Sequence, residues 1–525
     1  MDLVWGGIES YEIGKNRLSH IGNYFMCSYV RYSRFRKSLL SERSHGMNYW
    51  PPIKTKPPIT QRIFKGSNKL DPFSIGPEYA TDTYNLSSSK FPAVTTKPGY
   101  TLLGLAIGTK VLGMGVWKDT ELHAVFNDGT WRKWTGSAWS AALASGLDTS
   151  AEWSFCNFKG NLTDYNLIGS NGVNSAQRYD GTNVQVLAGA PAAINYIDEH
   201  DNRLYGVVNG IQVAFCELNV PTNWSTIAQN DSDPGSIQKE INTGKKIVGL
   251  KAGSGHVTVF FPTSCHELYG TSASDFSFVE MAPDIGMINN KCAVNLEGQT
   301  YFFSERGGYQ YAGSRPRKNY FTAVQWYADN MNQTSKSLSC MGSDGKNVYI
   351  GISLSSSTAP DTILVYDPTV INNYGEPAGI WNVWNDIQPL CFARMGNDLY
   401  IGDATGRVLK IGGTTNNGAA ISWRWVSKPF TASSISQVIR WMSAWITANL
   451  PSGSTMNLYL SKSASGDADW QIAKSITSNG LIDSTSIYFD TSIAMNAKFI
   501  RMKIEGTGPM DLIEFSRQEE TSPIR

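Results

Sequence analysis

Four cysteines recur at one position of an internal repeat, and thiols placed so regularly could bind a metal or exchange disulfides. Each stands nine residues before a tyrosine, as Cys156/Tyr165, Cys292/Tyr301, Cys340/Tyr349 and Cys391/Tyr400. No C-x-x-C and no His/Cys spacing typical of zinc accompanies them. Because equivalent positions of a repeat around an axis point in different directions, we expect buried, reduced thiols rather than disulfides. Cys27 lies outside the repeat.

Two pairs of tryptophans are the residues that we predict to form an interaction surface: Trp381, Trp384, Trp441 and Trp445. Exposed indole rings stack on sugars or fill a pocket of a partner protein. For Trp441 and Trp445 the alternative is packing in a core or between domains.

The other residues that are able to do chemistry favour structural interpretations. The sequence has no H-E-x-x-H, G-x-S-x-G, P-loop or dinucleotide-binding motif. His123 occupies a repeat position where other copies have Tyr or Thr, so we expect a packed strand residue rather than a general base. Asp198 and Glu199 are expected to be solvated turn acids, and residues 230–235 a plain turn rather than a Ca²⁺ loop. We therefore predict no enzyme activity and no catalytic, cofactor-binding or metal-binding residue.

The element that carries these residues is a repeated β-hairpin. Each copy has an apolar stretch, a Gly/Asp/Asn turn and a second apolar stretch, most clearly in residues 338–352 and 390–403. Three weaker copies are marked by the pairs Met114/His123, Tyr196/Tyr205 and Gly249/Thr258. Along the second marked column the copies are 40 to 53 residues apart, which is the length of a four-stranded propeller blade. We predict an all-β fold with a seven-bladed β-propeller, six blades being the alternative count.

The patterns divide the chain into four segments. They are an N-terminal arm with a proline-rich linker (1–60), a lead-in segment with a blade-closing strand (61–106), the propeller (107–413) and a C-terminal, jelly-roll-like β-sandwich (421–525). Residues 414–418 are predicted to be a polar, turn-rich linker. In the last segment Ile500, Met502 and Ile504 alternate with Arg501 and Lys503, which predicts a strand with one buried and one wet side.

Composition limits the classes of function. The 525 residues include 49 Gly, are 17% charged and 12% aromatic, and carry a net charge of +1. This near-neutral balance lacks the basic footprint of a sequence-independent nucleic-acid binder, so direct nucleic-acid contact is expected to be limited at most. No apolar run approaches the roughly 18 to 20 residues that span a bilayer, and the acidic N-terminus is unlike a secretory signal. We expect no membrane association.

The segment before the repeats carries a resemblance to a known family. Its order of elements is Gly66-Ser67-Asn68, Asp71-Pro72, Asn85-Leu86 and Lys97-Pro98-Gly99-Tyr100. This order resembles tailed-bacteriophage virion proteins that are built on β-propellers, namely the packaged-DNA stabilisation or tail-hub proteins of short-tailed phages and related minor tail proteins. The resemblance spans residues 61–525 and implies six or seven degenerate blades followed by a small β-domain. Lys97 stands where an arginine is commoner, and the long arm is a second departure.

The resemblance implies a structural role in a virion tail, in its hub, neck or baseplate region, after assembly in the host cytoplasm. The implied partners are portal, adaptor or tail proteins and fibres in a symmetric oligomeric assembly, with a role in retaining packaged DNA or organising fibres. Two other functions stay open on the residues alone. One is a carbohydrate-binding adhesin that uses the tryptophans, and the other is a glycan hydrolase that uses a carboxylate pair.

Overall fold

The structure is all-β and consists of many small antiparallel sheets. The computed structural model describes residues 57–524, apart from 226–229, 242–243, 254, 271, 273, 371–378, 435, 468, 479–481, 488–492 and 494–495. The predicted arm, with Cys27 and most of the proline-rich linker, lies outside the described residues. Before the repeats come five short strands, β1 (Ile59–Gln61), β2 (Ala80–Tyr84), β3 (Leu86–Ser87), β4 (Val94–Thr96) and β5 (Tyr100–Leu102).

The repeats then fold into a succession of small antiparallel sheets, each built as a meander of neighbouring strands. The first three sheets contain β6 (Val111–Trp117), β7 (Glu121–Phe126) and β8 (Thr130–Lys133); β9 (Ser154–Phe158), β10 (Asn166–Ser170), β11 (Gln177–Tyr179) and β12 (Val184–Val186); and β13 (Asn195–His200), β14 (Arg203–Val208), β15 (Gln212–Phe215) and β16 (Gly235–Gln238). The fourth and fifth contain β17 (Gly249–Ala252), β18 (Val257–Phe260), β19 (Cys265–Tyr269) and β20 (Ser277–Ala282); and β21 (Ala293–Leu296), β22 (Gln299–Ser304) and β23 (Gly307–Tyr311).

Two more sheets and a few helical turns complete this part. The sixth sheet contains β24 (Cys340–Ser343), β25 (Val348–Ile352), β26 (Thr362–Asp367) and β27 (Ile380–Trp384), and the seventh contains β28 (Pro389–Met395), β29 (Asp398–Asp403) and β30 (Val408–Ile411). The described helical segments are the 3-10 turns Asn290–Cys292, Asn319–Val324 and Lys336–Leu338 and the helix α1 (Gln325–Asp329).

The first strands of these sheets pack against each other in a closed ring. Contacts join the first strands in the orders β6–β9–β13–β17 and β21–β24–β28. The ring closes because β28 contacts β6. Between the fourth and fifth sheets the 3-10 turn Asn290–Cys292 takes part, because it contacts β17 of the fourth sheet and β22 of the fifth. A closed ring of small antiparallel sheets is the arrangement of a β-propeller, in which closure leaves each sheet two packed neighbours.

The strand register explains the nine-residue spacing of the repeat. Gly115 pairs with His123, Lys251 with Thr258, and Gly342 with Tyr349, so the second marked residue faces a first-strand residue across a short turn. These three second-strand positions are buried. In the second sheet Phe158 pairs instead with Asn166.

The position of Tyr165 corrects the prediction that this residue marks the second strand of its repeat. Seven residues separate β9 from β10, whereas two to four separate the first two strands of the other sheets, so the second strand begins at Asn166 and not at Tyr165. Tyr165 lies outside the strand and is 48% exposed. A fixed spacing cannot detect a longer connection between two strands, because the register shifts without changing the apolar pattern.

The seventh sheet gains strands from outside the repeats. The lead-in strand β5 pairs with β30, with Tyr100 opposite Ile411. The segment that was predicted to be a polar linker forms β31 (Thr415–Asn416) and β32 (Ala419–Ala420), and β31 pairs with β5. The linker prediction is wrong because the Asn417-Gly418 turn folds this segment into a hairpin, both residues having positive φ.

The remaining strands form two larger sheets with a common apolar core. They are β33 (Ser422–Ser427), β34 (Phe430–Thr431), β35 (Gln437–Asn449), β36 (Thr455–Ser461), β37 (Gln471–Thr477), β38 (Ile482–Ile487), β39 (Phe499–Thr507) and β40 (Asp511–Pro523). One sheet has the order β3-β4-β40-β35-β38 with β1 on β40, and the other has the order β2-β33-β39-β36-β37 with β34 on β39. The lead-in strands β1–β4 thus belong to these C-terminal sheets, which the sequence did not indicate.

The alternation predicted for β39 is half right. Ile500, Met502 and Ile504 are fully buried in the core between the C-terminal sheets. The opposite side is not wet, because Arg501 is 6% exposed and donates a hydrogen bond to the Ser463 carbonyl oxygen. The loop before β37 covers this side with the ring of Trp470, which lies 4.7 Å from the Arg501 guanidinium.

Candidate functional site

The cysteines of the described chain are unpaired and packed into the ring. They are Cys156, Cys216, Cys265, Cys292, Cys340 and Cys391, all buried except the half-buried Cys156. Burial raises the thiol pKa of Cys265, Cys292 and Cys391 to about 12. Since the thiolate is the nucleophile and the metal ligand, these thiols are inert at neutral pH. The prediction of buried, unpaired thiols is confirmed for five of the six described cysteines, and Cys156 is unpaired but only half-buried.

Two ion pairs join first-strand regions at the axis of the ring. Lys291 Nζ lies 2.6 Å from Glu152 Oε1, which links the fifth sheet to the second. These sheets are not neighbours in the ring, so the contact spans the axis. Lys251 Nζ lies 3.1 Å from Asp198 Oδ2 and links the fourth sheet to the third. The Asp198 carboxylate raises the pKa of Lys251, and both ammonium groups stay charged at neutral pH.

The Asp198 contact corrects a second prediction. Asp198 is not a solvated turn acid but a residue of β13 whose side chain is 16% exposed. Its Oδ2 also accepts a hydrogen bond from the Ala252 backbone nitrogen at 3.0 Å. A bulge in β13 turns this residue towards the fourth sheet, and such irregularities leave no signal in the apolar pattern.

His123 is a packed strand residue, as predicted. Its side chain is fully buried, and Trp131 Nε1 donates a hydrogen bond to its Nδ1 at 3.0 Å. Burial lowers the pKa of His123 to about 4, so the ring is neutral at physiological pH. An imidazole without access to solvent that already accepts a hydrogen bond is not placed to act as a general base.

Three of the four tryptophans proposed as an exposed surface are buried. Trp381, Trp384 and Trp441 are 3%, 2% and 1% exposed, so the prediction that they form an interaction surface is wrong for them. Trp441 packs between Phe430 and Phe515 in the C-terminal core, which was the alternative interpretation. Trp445 is half-buried on β35. No exposed platform of paired indoles exists in this part of the described chain.

The lead-in segment covers the backbone of β27 and the indole of Trp384, whereas the Trp381 ring packs on Tyr320, Phe321 and Tyr366. Backbone hydrogen bonds run from the Ser67 nitrogen to the Trp381 oxygen and from the Asn85 nitrogen to the Val383 oxygen, both at 2.7 Å. The indole nitrogen of Trp384 donates to the Leu86 oxygen at 3.0 Å. The outer strand of the sixth sheet is therefore an internal strand in the folded chain. Single-sequence patterns do not reveal this, because the covering segment lies about 300 residues away.

The residues that carry the family resemblance meet at this junction of the ring and the C-terminal sheets. A side chain at Gly66 would overlap the carbonyl oxygen of Trp381, so the close approach of the two backbones requires glycine. Asn85 has φ 57°, a conformation that asparagine tolerates. Its Nδ2 donates to Asn385 Oδ1 at 3.0 Å and to the Ser422 oxygen at 2.9 Å. Asn85 thus connects the sixth sheet to β33.

Lys97 is the buried charge of the junction. Its side chain is fully buried, and Nζ lies 3.2 Å from Asp386 Oδ2 and 5.1 Å from the centre of the Trp384 ring. Burial lowers the pKa of Lys97, against the opposing effect of the Asp386 carboxylate. A buried ion pair of this kind adds specificity of docking more than stability.

Two cavities flank the junction. The larger, of about 950 Å³, is lined by Tyr79, Tyr301, Tyr320, Tyr366 and Trp381 together with polar side chains such as Gln310 and Arg317. The smaller, of about 550 Å³, contains Ser88, Asp367 and Asp511 and borders Lys97. In the smaller cavity the Ser88 hydroxyl donates to Asp367 Oδ2 at 2.6 Å, so these two groups bind each other.

The described residues contain no group of three or more His, Cys, Asp or Glu side chains placed to hold a metal ion.

Residues 230–235 wrap around Arg203, whose guanidinium donates to the backbone oxygens of Asp231 and Asp233. Among the described helices, none is long and apolar enough to cross a bilayer.

Comparison with known proteins gives no family. No protein-family model and no curated protein matches the sequence. Among solved structures, Raptor from Chaetomium thermophilum is 8% identical with a TM-score of 0.42, over 61% of this chain and 29% of its own. A catalytically inactive virginiamycin B lyase from Staphylococcus aureus is 10% identical with a TM-score of 0.40, over 60% and 99%. BamB from Moraxella catarrhalis is 10% identical with a TM-score of 0.36, over 57% and 82%. Similarity this remote identifies no activity, ligand or partner.

Proposed function

We propose that the chain is a structural component of a tailed-phage virion, in the tail hub, neck or baseplate region, and that it is not an enzyme. In this proposal the ring is a seven-bladed propeller. The two C-terminal sheets form a jelly-roll-like β-sandwich that is the end domain. Portal, adaptor or tail proteins and fibres are its partners in a symmetric assembly. It retains packaged DNA as a physical barrier or organises fibres, without extended nucleic-acid contact.

The observation that carries the proposal is the interlock made by the lead-in segment. This segment supplies β5 to the seventh sheet and β1–β4 to both C-terminal sheets, so ring and sandwich cannot move apart without breaking strand pairs. The resemblance rests on the same segment, at Gly66, Asn85 and Lys97. A rigid body with a closed axis suits a spacer or plug, which works by position and by large protein interfaces.

The chemistry of the buried groups agrees with a structural role. The described thiols are protonated, His123 is neutral and bonded, and Asp198 is paired with Lys251. The hydrolase alternative requires a pair of free carboxylates, and Asp198 is not free because it is bound to Lys251. The adhesin alternative loses Trp381, Trp384 and Trp441, which are buried, and retains only the half-buried Trp445.

Quantitative mass spectrometry of purified particles tests the proposal. Particles are prepared from a host that produces them with this chain, and peptides from residues 57–524 are counted against the major capsid protein. We expect a fixed, low copy number per particle that survives density-gradient purification. Absence of the chain from intact, infectious particles would overturn the proposal.

A further inference from the structure

A buried carboxyl group lies between the fourth and fifth sheets. Glu267, on β19, has a fully buried side chain. The Thr258 hydroxyl donates to its Oε1 at 2.9 Å, whereas its Oε2 accepts no hydrogen bond. The Tyr311 hydroxyl, from β23 of the fifth sheet, faces the same carboxyl group without reaching hydrogen-bond geometry. An ionised carboxylate left with an empty acceptor position in a dry interior is costly.

Within the described part of the chain, the neighbours of this carboxyl group include no lysine or arginine. Burial raises the pKa of Glu267 to about 7, and the neighbours that oppose this rise are the hydroxyls of Tyr311 and Thr258. His256 Nε2 lies 3.4 Å from Oε2, but burial and His200 lower the pKa of His256, which is therefore neutral. Lys251, which lies on β17 opposite Thr258, is bound to Asp198.

Other titratable groups of the same elements lie farther from the carboxyl group or are neutral. Burial raises the pKa of Tyr311, and Cys265 and Tyr269, both on β19, add to this rise. Burial raises the pKa of Cys265 to about 12. Burial lowers the pKa of His266, which hydrogen-bonds Ser264 instead. Glu280, on β20, lies opposite His266 in the backbone register of the two strands, and its side chain is exposed.

Glu267 lies at the seam, which is the contact between the fourth and fifth sheets. This contact is built differently from the other contacts of the ring. The fourth and fifth sheets join at the axis through the 3-10 turn Asn290–Cys292. The fifth sheet has three described strands, whereas the fourth has four. Farther out, Phe260 and Phe302 pack with ring centres 5.0 Å apart. A charge that forms beside this apolar contact draws water into the seam.

We propose that the seam between the fourth and fifth sheets is a proton-controlled contact that is closed while Glu267 is protonated and loosens when Glu267 ionises. The direction follows from the ionisation of an acid. The folded state holds this proton more tightly than the unfolded chain does, so the seam is most stable below pH 4.5 and loses stability as the pH rises through about 7. Loosening exposes the edge of β23 and the turn at His256 to solvent or to a partner.

Hydrogen exchange on the full chain tests this inference. Exchange is measured at pH 5.5 and pH 8.5 and corrected for the intrinsic pH dependence of amide exchange. In the wild type we expect peptides from residues 255–270 and 299–313 to lose protection at least tenfold at pH 8.5, while peptides from the first and second sheets do not. Glu267→Gln should abolish the difference because glutamine cannot ionise. Glu280→Gln, an exposed acid on the adjacent strand, is the matched control and should behave as the wild type.

Two results would overturn the inference. One is equal protection of the wild-type seam at both pH values, and the other is the same pH effect in Glu267→Gln as in the wild type. Should Glu267→Gln not fold, infrared titration of wild-type protein with ¹³C-labelled glutamate decides the matter. A buried protonated carboxyl band that disappears near pH 7 supports the inference, and its absence above pH 5 contradicts it.

Discussion

Single buried residues show how the chain uses groups that could have done chemistry. His123 is the plainest case, because its nitrogen accepts a hydrogen bond from Trp131 in a position that sequence spacing assigned to strand packing. The same holds for the thiols, whose raised pKa values follow from burial. At this scale the sequence predicted the type of role well. It failed for Trp381, which packs on Tyr320 and Phe321, and for Trp384, which is covered by a segment about 300 residues away.

His123 should make the protein sensitive to acid. Its folded pKa is lowered to about 4 from 6.5, so its contribution to stability is complete above pH 6.5 and is lost as the pH falls towards 4. The full loss amounts to roughly 3 kcal/mol at about 1.4 kcal/mol per pH unit. In His123→Gln, which keeps an acceptor for Trp131, urea unfolding between pH 7 and pH 4 should show a shallower loss. His200→Gln, whose side chain reaches solvent, should retain the wild-type slope, and an unchanged slope in both variants would contradict the account.

The described thiols should be protected from modification in the native state. We expect Ellman's reagent to react with at most Cys156 among the described cysteines of native protein, because the others are buried. Unfolding in guanidinium should release the remaining five. The measurement uses Cys27→Ser, since Cys27 lies outside the described residues. Rapid reaction of several thiols in native protein would show that the ring is not packed as described.

Lys97 should be needed for the junction. In Lys97→Met the Asp386 carboxylate loses its buried partner, and we expect a loss of about 3 kcal/mol in the free energy of unfolding. Lys346→Met, an exposed lysine beside the same cavity, should change it by less than about 0.5 kcal/mol. Combining Lys97→Met with Asp386→Asn should recover part of the loss. Equal stability of Lys97→Met and wild type in chemical denaturation would refute the assignment.

Among the elements, the lead-in segment differs most from its prediction. The pattern of apolar and turn residues located the hairpins, most clearly in residues 338–352 and 390–403, because period-two alternation and Gly/Asp turns are local signals. It could not show that β1–β4 complete the C-terminal sheets, since pairing between residues about 400 apart leaves no local trace. The hairpin at residues 415–420 was missed for a related reason, as its partner β5 precedes the ring.

Gly66 tests the docking of the lead-in segment on β27. Gly66→Ala places a methyl group against the Trp381 carbonyl, so the segment must move away from the sixth sheet. We expect a loss of stability of a few kcal/mol, roughly the cost of overpacking, and a red shift of tryptophan fluorescence as Trp381 and Trp384 meet water. Gly253→Ala, where the added methyl makes only ordinary contacts, is the control. A fully stable Gly66→Ala with unchanged fluorescence would mean that the segment does not pack there.

At the scale of the whole molecule, strands β1–β5 join the ring of small sheets to the two C-terminal sheets. Under the proposed function this joined body works by its position in a particle. The contacts of Gly66, Asn85 and Lys97 at the junction give a structural reason for these residues. Which surface meets which partner depends on the outer faces of the sheets, for which a single sequence carries little signal.

The most direct test of the central claim is an electron cryomicroscopy reconstruction of particles in which this chain carries a C-terminal label of known mass. The account predicts a discrete extra density at symmetry-related positions in the tail hub, neck or baseplate region, beside a body whose size fits a ring and a sandwich. Labelled particles without extra density in the tail, although the labelled chain is made in the same cells, would contradict it.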